Sequence, residues 1–230
     1  NRTSPFAFTG NKFEFRMLGS AFSISGPNIV LNTIVAEELG KFADALEKSK
    51  DMKADMHALV AKTIREHRRI IFNGDGYSKE WQDEAAKRGL LNLKTTPEAL
   101  PKFAEEKNVS LFVKHGVFTA TEVHSRCEIM LEHYCKVIMI EGRTMLDMIK
   151  RSVIPGSLSW QREVAETVSV KKSAGVDSVS EKALLGNLAA LADEIAAGVG
   201  LLESALSGAG SVSDVAGRAS YCREKIVSAM

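Results

Sequence analysis

Apolar residues recur every three or four positions over most of this chain, and this period restricts its fold more than any other feature. The longest such stretch runs from about Thr119 to Arg151 and carries a wide apolar face. Similar patterns cover residues 28–48, where Asn28 suits a helix cap, and residues 52–71. A period near 3.6 residues is typical of amphipathic helices that bury one face. The sequence therefore predicts a mainly α protein.

The composition changes after Pro155, because residues 173–220 are rich in Ala, Gly and Ser and poor in aromatic residues. Branched apolar residues recur there at spacings of three and four, namely Leu184, Leu188, Leu191, Ile195, Val199, Leu202 and Leu206. Such an eleven-residue repeat favours straight or slightly right-handed helix pairing, against either the preceding helix or another subunit. We predict two domains, residues 1–152 and a helical-bundle extension over residues 153–230.

Charge and cysteine content exclude several classes of protein. Thirty basic and twenty-nine acidic residues leave a net charge of +1, which indicates neither nucleic-acid binding nor an anionic membrane partner. Three widely spread cysteines argue against a disulfide framework and indicate a reducing, cytoplasmic compartment. No apolar run approaches the roughly 18–20 residues of a membrane span, and no signal peptide is visible. The chain starts at Asn1 without an initiator Met, so we expect the C-terminal portion of a longer protein.

The long helical pattern contains His124, Cys127, His133 and Cys135, which together invite a zinc interpretation. A helix would place the first two one turn apart and point the other two to different sides, so metal-site spacing is not met. The basic residues around His67 form a cluster too short and too isolated to indicate nucleic-acid binding. No phosphate-binding glycine loop or Ser/His/Asp nucleophile signature is present in the sequence.

Residues 12–17, Lys-Phe-Glu-Phe-Arg-Met, alternate between charged and apolar side chains with a period of two. This pattern predicts a β-strand with one packed face and with Lys12, Glu14 and Arg16 in a row on the other. Periodicity alone favours a solvated edge strand with cross-strand ion pairs. An acid between two bases, preceded by Arg2 on a loop punctuated by Pro and Gly, also suits a site for a metal and an anion.

Several stretches resemble one enzyme family. Asn-Arg-Thr-Ser at residues 1–4, followed by Phe-Glu-Phe-Arg at residues 13–16, resembles the last catalytic motif of glutamine synthetases, an Asn-Arg-Ser stretch before an Arg-x-Glu-x-Arg strand. Two further segments resemble the type III branch of this family: Asn-Gly-Asp-Gly-Tyr-Ser at residues 73–78 and Gly-Leu-Leu-Asn-Leu-Lys-Thr-Thr-Pro at residues 89–97. From Thr95 to about Met148, a Pro/Glu/Ala-Leu helix, a Phe-x-x-x-Gly-Val-Phe segment and a long helix resemble the end of the catalytic domain.

The resemblance covers residues 1 to about 150, and the helices beyond resemble the type III C-terminal extension. It implies a mainly α fold in which helices follow one catalytic-site β-strand, at the end of an α+β catalytic domain, and a helical bundle comes last. It also implies an ATP-dependent glutamate–ammonia ligase that makes glutamine through γ-glutamyl phosphate. The expected substrates are glutamate, ammonia and ATP, and the expected metals are Mg²⁺ or Mn²⁺. A homo-oligomer of stacked rings, a dodecamer, is implied as well, with no nucleic-acid or membrane partner.

Residue roles follow from the resemblance only where positions match. Glu14 matches the strand glutamate that binds a divalent metal, and Arg16 matches the catalytic arginine that faces glutamate and the transferred phosphoryl group. Arg2 matches an arginine on the nucleotide phosphates, and Lys12 stands where relatives have an ATP-binding arginine. Lysine keeps the charge there but loses the bidentate fork. Relatives carry a further arginine where this chain has Ala7, so nucleotide contacts on this loop must differ.

Two hypotheses therefore remain. The chain is the C-terminal part of a glutamine synthetase, or, as an isolated polypeptide, it is an inactive helical module for assembly. They are compatible, because most metal and substrate ligands of the family lie upstream and its active sites form between subunits. The isolated 230 residues are accordingly expected to be inactive.

Overall fold

The computed structural model describes the backbone of residues 6–8 and 13–15, and both backbone and side chains of residues 19 and 22–230. Helices account for most of the described chain, so the predicted mainly α fold is confirmed. The two short strands, β1 (Phe6–Phe8) and β2 (Phe13–Phe15), pair in antiparallel fashion. The second strand coincides with the centre of the predicted strand, whereas the first was expected to be loop.

Ten α-helices follow in the described residues. The first five are α1 (Ser25–Leu46), α2 (Met52–Glu66), α3 (Lys79–Lys87), α4 (Thr96–Phe103) and α5 (Glu106–Lys114). The next three are long: α6 (Ala120–Met148), α7 (Ile154–Ser173) and α8 (Val179–Gly208). The last two, α9 (Val215–Tyr221) and α10 (Val227–Ala229), are short. Shorter 3₁₀ turns cover Arg68–Ile70 and Ala209–Ser211, and π turns cover Ile149–Val153 and Cys222–Ile226.

The chain folds as two compact units. The first comprises Asn1–Lys94 with Phe103–Val123, and the second comprises Thr95–Lys102 with His124–Met230. These units are defined by contacts within this chain. The division into domains at residues 1–152 and 153–230 concerns the longer protein and stays a prediction.

The core of the first unit forms where α1 packs against α5. Val109, Phe112 and Val123 are buried there, and the partly buried residues packed against them are Ile29, Val30, Phe103, Ala104 and Phe118. The ring of Phe112 lies 5.4 Å, centroid to centroid, from the rings of both Phe103 and Phe118. Tilted aromatic pairs at this separation are favourable beyond their burial alone. The Phe-x-x-x-Gly-Val-Phe segment of the sequence thus supplies the centre of this core.

The turn inside that segment depends on a glycine. Gly116 follows the end of α5 with a φ of +62°, a conformation that costs other residues free energy. Its N–H donates to the Val113 carbonyl, and the Val117 N–H donates to the Phe112 carbonyl, each at 3.0 Å. This is the Schellman pattern, which satisfies the last carbonyls of a helix. It folds the chain back so that Phe118 meets Phe112.

The start of the first helix differs from the sequence-based expectation. Residues up to Pro27 were expected to be loop and Asn28 to be the cap, but α1 begins at Ser25. Proline is tolerated in a first helical turn, because N–H groups there have no intrahelical acceptor. At the start of the helix, the Ser25 N–H donates a hydrogen bond to the hydroxyl of Ser23 at 3.2 Å. The start of α3 is capped by Ser78, whose hydroxyl accepts a hydrogen bond from the Trp81 N–H at 3.2 Å.

Pro155 does not separate α6 from α7. The helical path continues through the π turn Ile149–Val153, and the Ile154 N–H donates to the Ile149 carbonyl, five residues back. Proline cannot donate to the carbonyl four residues before it and crowds that group. A π turn shifts the hydrogen-bond pattern at this point and is a known way for a helix to absorb such a defect.

The core of the second unit is built around Gly142 on α6. An added Cβ there would lie 3.2 Å from Leu206 Cδ2 and 3.3 Å from Ile226 Cγ2. Leu202 and Cys222 are fully or almost fully buried in the same unit. Gly142 is thus a position of close helix approach. The glycines Gly198 and Gly200 of α8, by contrast, have no neighbouring atom within 4 Å of an added Cβ.

α8 packs along α7, and its apolar stripe is divided between a buried part and an exposed part. Val199 and Leu202 are buried, whereas Leu184 and Leu191 are 42% and 55% exposed. Ion pairs flank the helix, since Lys171 contacts Glu181 and Lys150 contacts Glu203. The C-terminal half of the stripe therefore packs within the chain, and the N-terminal half is left partly open.

Within the described residues, one helical segment, Val179–Ser211, is long and apolar enough to cross a membrane. This differs from the sequence-based expectation that no segment approaches such a length. The expectation counted uninterrupted apolar residues, whereas a membrane helix tolerates a few charges such as Asp193 and Glu194. A single segment that passes this test is weak evidence for a membrane span.

Candidate functional site

The predicted catalytic strand is the first place to seek a site. Glu14 lies in the centre of β2 and is paired with Ala7 of β1 in the antiparallel register. The antiparallel pairing therefore places the residue expected to bind metal opposite the position where relatives carry an extra arginine. The other three predicted site residues, Arg2, Lys12 and Arg16, lie outside the residues that the structure describes.

Metal binding requires several ligand side chains that converge on one point. No group of three His, Cys, Asp or Glu residues at residues 19 and 22–230 is arranged to hold a metal ion. The zinc interpretation of the long helix, already disfavoured by spacing, finds no support there. The side chain of Glu14 is not among the described side chains.

The most highly charged contact in the described part of the first unit surrounds Glu37 on α1. Its carboxylate accepts hydrogen bonds from Lys114 Nζ, at 2.7 Å to Oε2 and 2.9 Å to Oε1, and from His115 Nε2 at 2.8 Å. Lys41 Nζ lies 3.7 Å from Oε1 of the same carboxylate. The Glu37 side chain is only 15% exposed, so the group lies in a sheltered position.

These cations change the acidity of the carboxyl group. The hydrogen bonds from Lys114 and then His115 lower the pKa of Glu37 from 4.5 to about 2. Glu37 is thus a fixed anion that holds α1 against the end of α5, next to a groove of about 350 Å³ lined by Lys107 and Asn108. Because every charge here has a partner, the arrangement is that of a structural clamp rather than a catalytic acid or base.

No feature of the sequence predicts this cluster. Glu37 and its two strongest partners are 77 and 78 residues apart, and only the packing of α1 on α5 joins them. A lone glutamate on an amphipathic helix is otherwise typical of a solvated surface.

The three cysteines are free and buried. Burial raises the pKa of Cys127, and its thiol donates to the Leu100 carbonyl at 3.4 Å. Burial and the neighbouring Cys135 raise the pKa of Cys222 to about 11. Thiolate, not thiol, is the nucleophile and the metal ligand, so Cys127 and Cys222 behave as apolar core residues.

Glu141 falls within an apolar stretch of the sequence, but its side chain is exposed on α6 and is not a buried acid. The Asn-Gly-Asp-Gly turn is held locally: Asp75 Oδ1 accepts the Tyr77 N–H at 3.0 Å, and its carbonyl accepts the Ser78 hydroxyl at 2.8 Å. This is turn chemistry, with the aspartate satisfying its own neighbours.

Comparison with known proteins supplies the family. The profile of the glutamine synthetase C-terminal domain matches residues 55–172, slightly more than half of the chain. The matched region runs from α2 through α7, and therefore includes the Schellman turn at Gly116 and the helix that passes Pro155.

Individual relatives agree with this match. The chain is 44% identical over 172 residues to a type-3 glutamine synthetase of Dictyostelium discoideum, covering 74% of this chain and 23% of the relative. It is 40% identical over 178 residues to a glutamine synthetase of Butyrivibrio fibrisolvens, covering 75% of this chain and 25% of the relative. A glutamine synthetase of Bacteroides fragilis is 35% identical over 172 residues, covering 73% of this chain and 24% of the relative.

This chain thus spans about a quarter of the length of the relatives it matches. The matches confirm the resemblance to the type III branch that the sequence motifs indicated. The chain belongs to the glutamine synthetase C-terminal domain family.

Proposed function

We propose that the full-length protein containing this chain is an ATP-dependent glutamate–ammonia ligase. The observation that carries the proposal is the family match over residues 55–172, together with relatives that are themselves named glutamine synthetases. The proposed substrates are glutamate, ammonia and ATP. The sequence around β2 supports the same assignment, because the acid Glu14 stands between the two bases Lys12 and Arg16.

The proposed reaction has two steps. The γ-carboxylate of glutamate attacks the γ-phosphorus of ATP, ADP leaves, and γ-glutamyl phosphate forms. Ammonia then attacks the acyl carbon and phosphate leaves, which gives glutamine. Both steps develop negative charge on phosphoryl oxygens, and fixed cations stabilise such charge. We assign Arg2 and Lys12 to the ATP phosphates, and Arg16 to glutamate and the transferred phosphoryl group.

Glu14 is assigned to the divalent metal. A carboxylate oxygen is the ligand type that Mg²⁺ and Mn²⁺ prefer, and one carboxylate alone does not complete such a site. A bound Mg²⁺ or Mn²⁺ would supply charge neutralisation on the transferring phosphoryl group. We propose that the remaining ligands come from the portion of the protein that this chain does not include.

The assignment is tested by Glu14→Gln in the full-length protein. Amide for carboxylate keeps the size of the side chain and removes the charge that attracts the metal. Glutamine formation should fall at least a hundredfold, and more Mg²⁺ should be needed for half-maximal activity. Glu141→Gln, which changes an exposed glutamate on α6, should keep wild-type activity and metal dependence. A Glu14→Gln enzyme with wild-type turnover and metal dependence would sink the assignment.

We also propose a cytoplasmic location and assembly into a homo-oligomer of stacked rings, a dodecamer. A second candidate function, that of an assembly module, is supported by a specific observation. The N-terminal half of the apolar stripe on α8 is exposed at Leu184 and Leu191, and large apolar residues exposed together are typical of protein interfaces. On this proposal, residues 153–230 form the domain that makes contacts between subunits.

A further inference from the structure

Four arginines line one cleft in the first unit. The cleft has a volume of about 820 Å³ and lies where α2 ends and the chain turns toward α3. Arg65, Arg68 and Arg69 approach it from the α2 side, and Arg88 approaches it from the end of α3. Arg65 lies in the last turn of α2, Arg68 and Arg69 lie in the 3₁₀ turn that follows, and all three line the same cleft. No acidic side chain is among the described residues that line the cleft.

Arg88 is already used to build the cleft. Its Nε donates to Glu84 at 2.7 Å, and its Nη1 donates to the carbonyls of Arg69 at 3.2 Å and Ile71 at 2.8 Å. Its guanidinium carbon also lies 5.6 Å from the centre of the Trp81 ring. These contacts tie the basic segment to α3, so the cleft wall has a fixed position.

The guanidinium groups of the other three arginines do not make contacts of this kind with described side chains. Arg65, Arg68 and Arg69 make no ion pair or side-chain hydrogen bond with any residue whose side chain the structure describes. The nearest acid along the helix, Glu66, pairs instead with Lys62 at 3.8 Å. Arg65 lies in the last turn of α2, where the helix dipole favours a cation, but three like charges within five residues repel one another. An anionic ligand would relieve that repulsion.

The walls of the cleft restrict what the ligand can be. Ile64, Ile71 and Phe72 supply apolar surface, and the Phe72 ring is held by stacking on Trp81 at 4.5 Å. A volume near 820 Å³ lies within the range of small-molecule sites. Guanidinium forks bind phosphate oxygens in bidentate fashion, and several of them suit a ligand with several phosphoryl groups.

We propose that this arginine cleft binds a small soluble ligand that carries an oligophosphate chain. The site is formed by residues of the described chain alone and goes beyond the glutamine-forming reaction. Arg65, Arg68 and Arg69 bind the phosphate oxygens, while Arg88 positions the wall and the apolar residues accept the remainder of the ligand.

Isothermal titration of the full-length protein with inorganic tripolyphosphate tests the proposal. The variant Arg65→Gln/Arg68→Gln/Arg69→Gln should lose at least tenfold in tripolyphosphate affinity. Inorganic orthophosphate should bind the wild-type cleft at least tenfold more weakly than tripolyphosphate does, because one phosphoryl group cannot engage three guanidinium groups at once. Binding should also weaken as salt is raised, since ions screen such contacts.

A matched control removes the same charge from the same unit outside the cleft. Lys53→Gln/Lys62→Gln/Lys87→Gln should keep tripolyphosphate affinity within twofold, because none of these lysines lines the cleft. The single variant Arg68→Gln, with a wild-type circular dichroism spectrum, should lose about threefold and guards against misfolding of the triple variant. Equal losses in the arginine and lysine triples would overturn the proposal. So would wild-type affinity in the arginine triple, equal binding of orthophosphate, or binding of an acidic peptide without tripolyphosphate.

Discussion

Protonation of Glu37 would remove charge-assisted hydrogen bonds from two residues on a different helix end, Lys114 and His115. The pKa of this carboxyl group is lowered from 4.5 to about 2, mainly by the hydrogen bond from Lys114. A lowered pKa in the folded state means that the carboxylate stabilises the fold above its ordinary pKa. That contribution is lost as the pH falls from about 4.5 through about 2.

Glu37→Gln should therefore lower stability near neutral pH and cease to matter in acid. Urea denaturation followed at a series of pH values measures this, because the midpoint reports the free energy of unfolding. We expect the wild-type midpoint to exceed that of the variant at pH about 6, with a gap that closes steadily between pH about 5 and about 2.

Glu38→Gln is the matched control for this experiment. Glu38 is the next residue on α1, its side chain is 54% exposed, and it pairs with Lys41 at 2.7 Å. Exposed pairs contribute little to stability, so this variant should show only a small gap at every pH. A gap for Glu37→Gln that stayed constant down to pH about 2 would contradict the assignment, since linkage requires it to close.

At the scale of single residues, the sequence predicts the contacts that a residue makes with its near neighbours in the chain. The Ser78 cap and the positive φ of Gly89, which is +69°, are features that a sequence can indicate, because caps and turns depend on residues a few positions away. The Glu37 clamp was not predicted, because its partners come from the other end of the first unit. The roles of Arg2, Lys12, Glu14 and Arg16 stay predictions that rest on motif similarity.

Among the elements, α6 meets α8 and the C-terminal helices at Gly142. The nearest atoms to an added Cβ are the ends of Leu206 and Ile226, at 3.2 and 3.3 Å. Larger side chains have no room there without displacement of both. Gly142→Leu should therefore destabilise the protein by about 1–3 kcal/mol, the usual cost of overpacking a core. Thermal or urea denaturation of the variant checks this.

Gly200→Leu provides the control, because Gly200 lies on an exposed part of α8 with no atom within 4 Å of an added Cβ. Replacement of a helical glycine there should leave stability unchanged or raise it by up to about 1 kcal/mol, through better helix propensity. Equal destabilisation by both substitutions would show that Gly142 is not a point of close packing.

The helices themselves were predictable, and their boundaries less so. Periodicity located α1, α2, α6 and α8, since each carries a long amphipathic or apolar pattern. The long helical pattern was expected to stop at about Arg151, but the π turn before Pro155 lets the helical path continue. Sequence rules for proline describe regular α-helical hydrogen bonds, so they do not foresee a local change in that pattern.

At the scale of the whole molecule, periodicity shows which helix face is apolar but not what covers it. The predicted inward faces of α1 and α2 are largely exposed, with Ile34, Val35, Leu39, Val60 and Ile64 each more than two-fifths accessible. This chain spans about a quarter of the length of its relatives, and apolar faces of this kind are typical of surfaces that bind other segments or subunits. Family membership was predictable, because short segments such as Asn-Gly-Asp-Gly-Tyr-Ser at residues 73–78 resemble those of the family, and the family profile covers that region.

The exposed half of the α8 stripe provides the test of assembly. Leu184 and Leu191 are seven residues apart, about two helical turns, and so lie on the same face. Introduction of charge at these two positions should not disturb the fold, because Leu184 is already 42% exposed and Leu191 is 55% exposed. If this face joins subunits, Leu184→Lys/Leu191→Lys in the full-length protein should lower the particle mass measured by light scattering. Burial of an unpaired charge at an interface is strongly unfavourable.

Leu201→Lys is the matched control on the same helix, since Leu201 is 66% exposed and lies on a different face. This variant should keep the particle mass of the wild type, and all variants should keep its circular dichroism spectrum. A mass unchanged by the Leu184 and Leu191 substitutions would count against an interface on this face. Equal dissociation by Leu201→Lys would mean that added charge anywhere on α8 disturbs assembly. The comparison of the two faces therefore separates a defined subunit contact from a general effect of charge on an apolar helix.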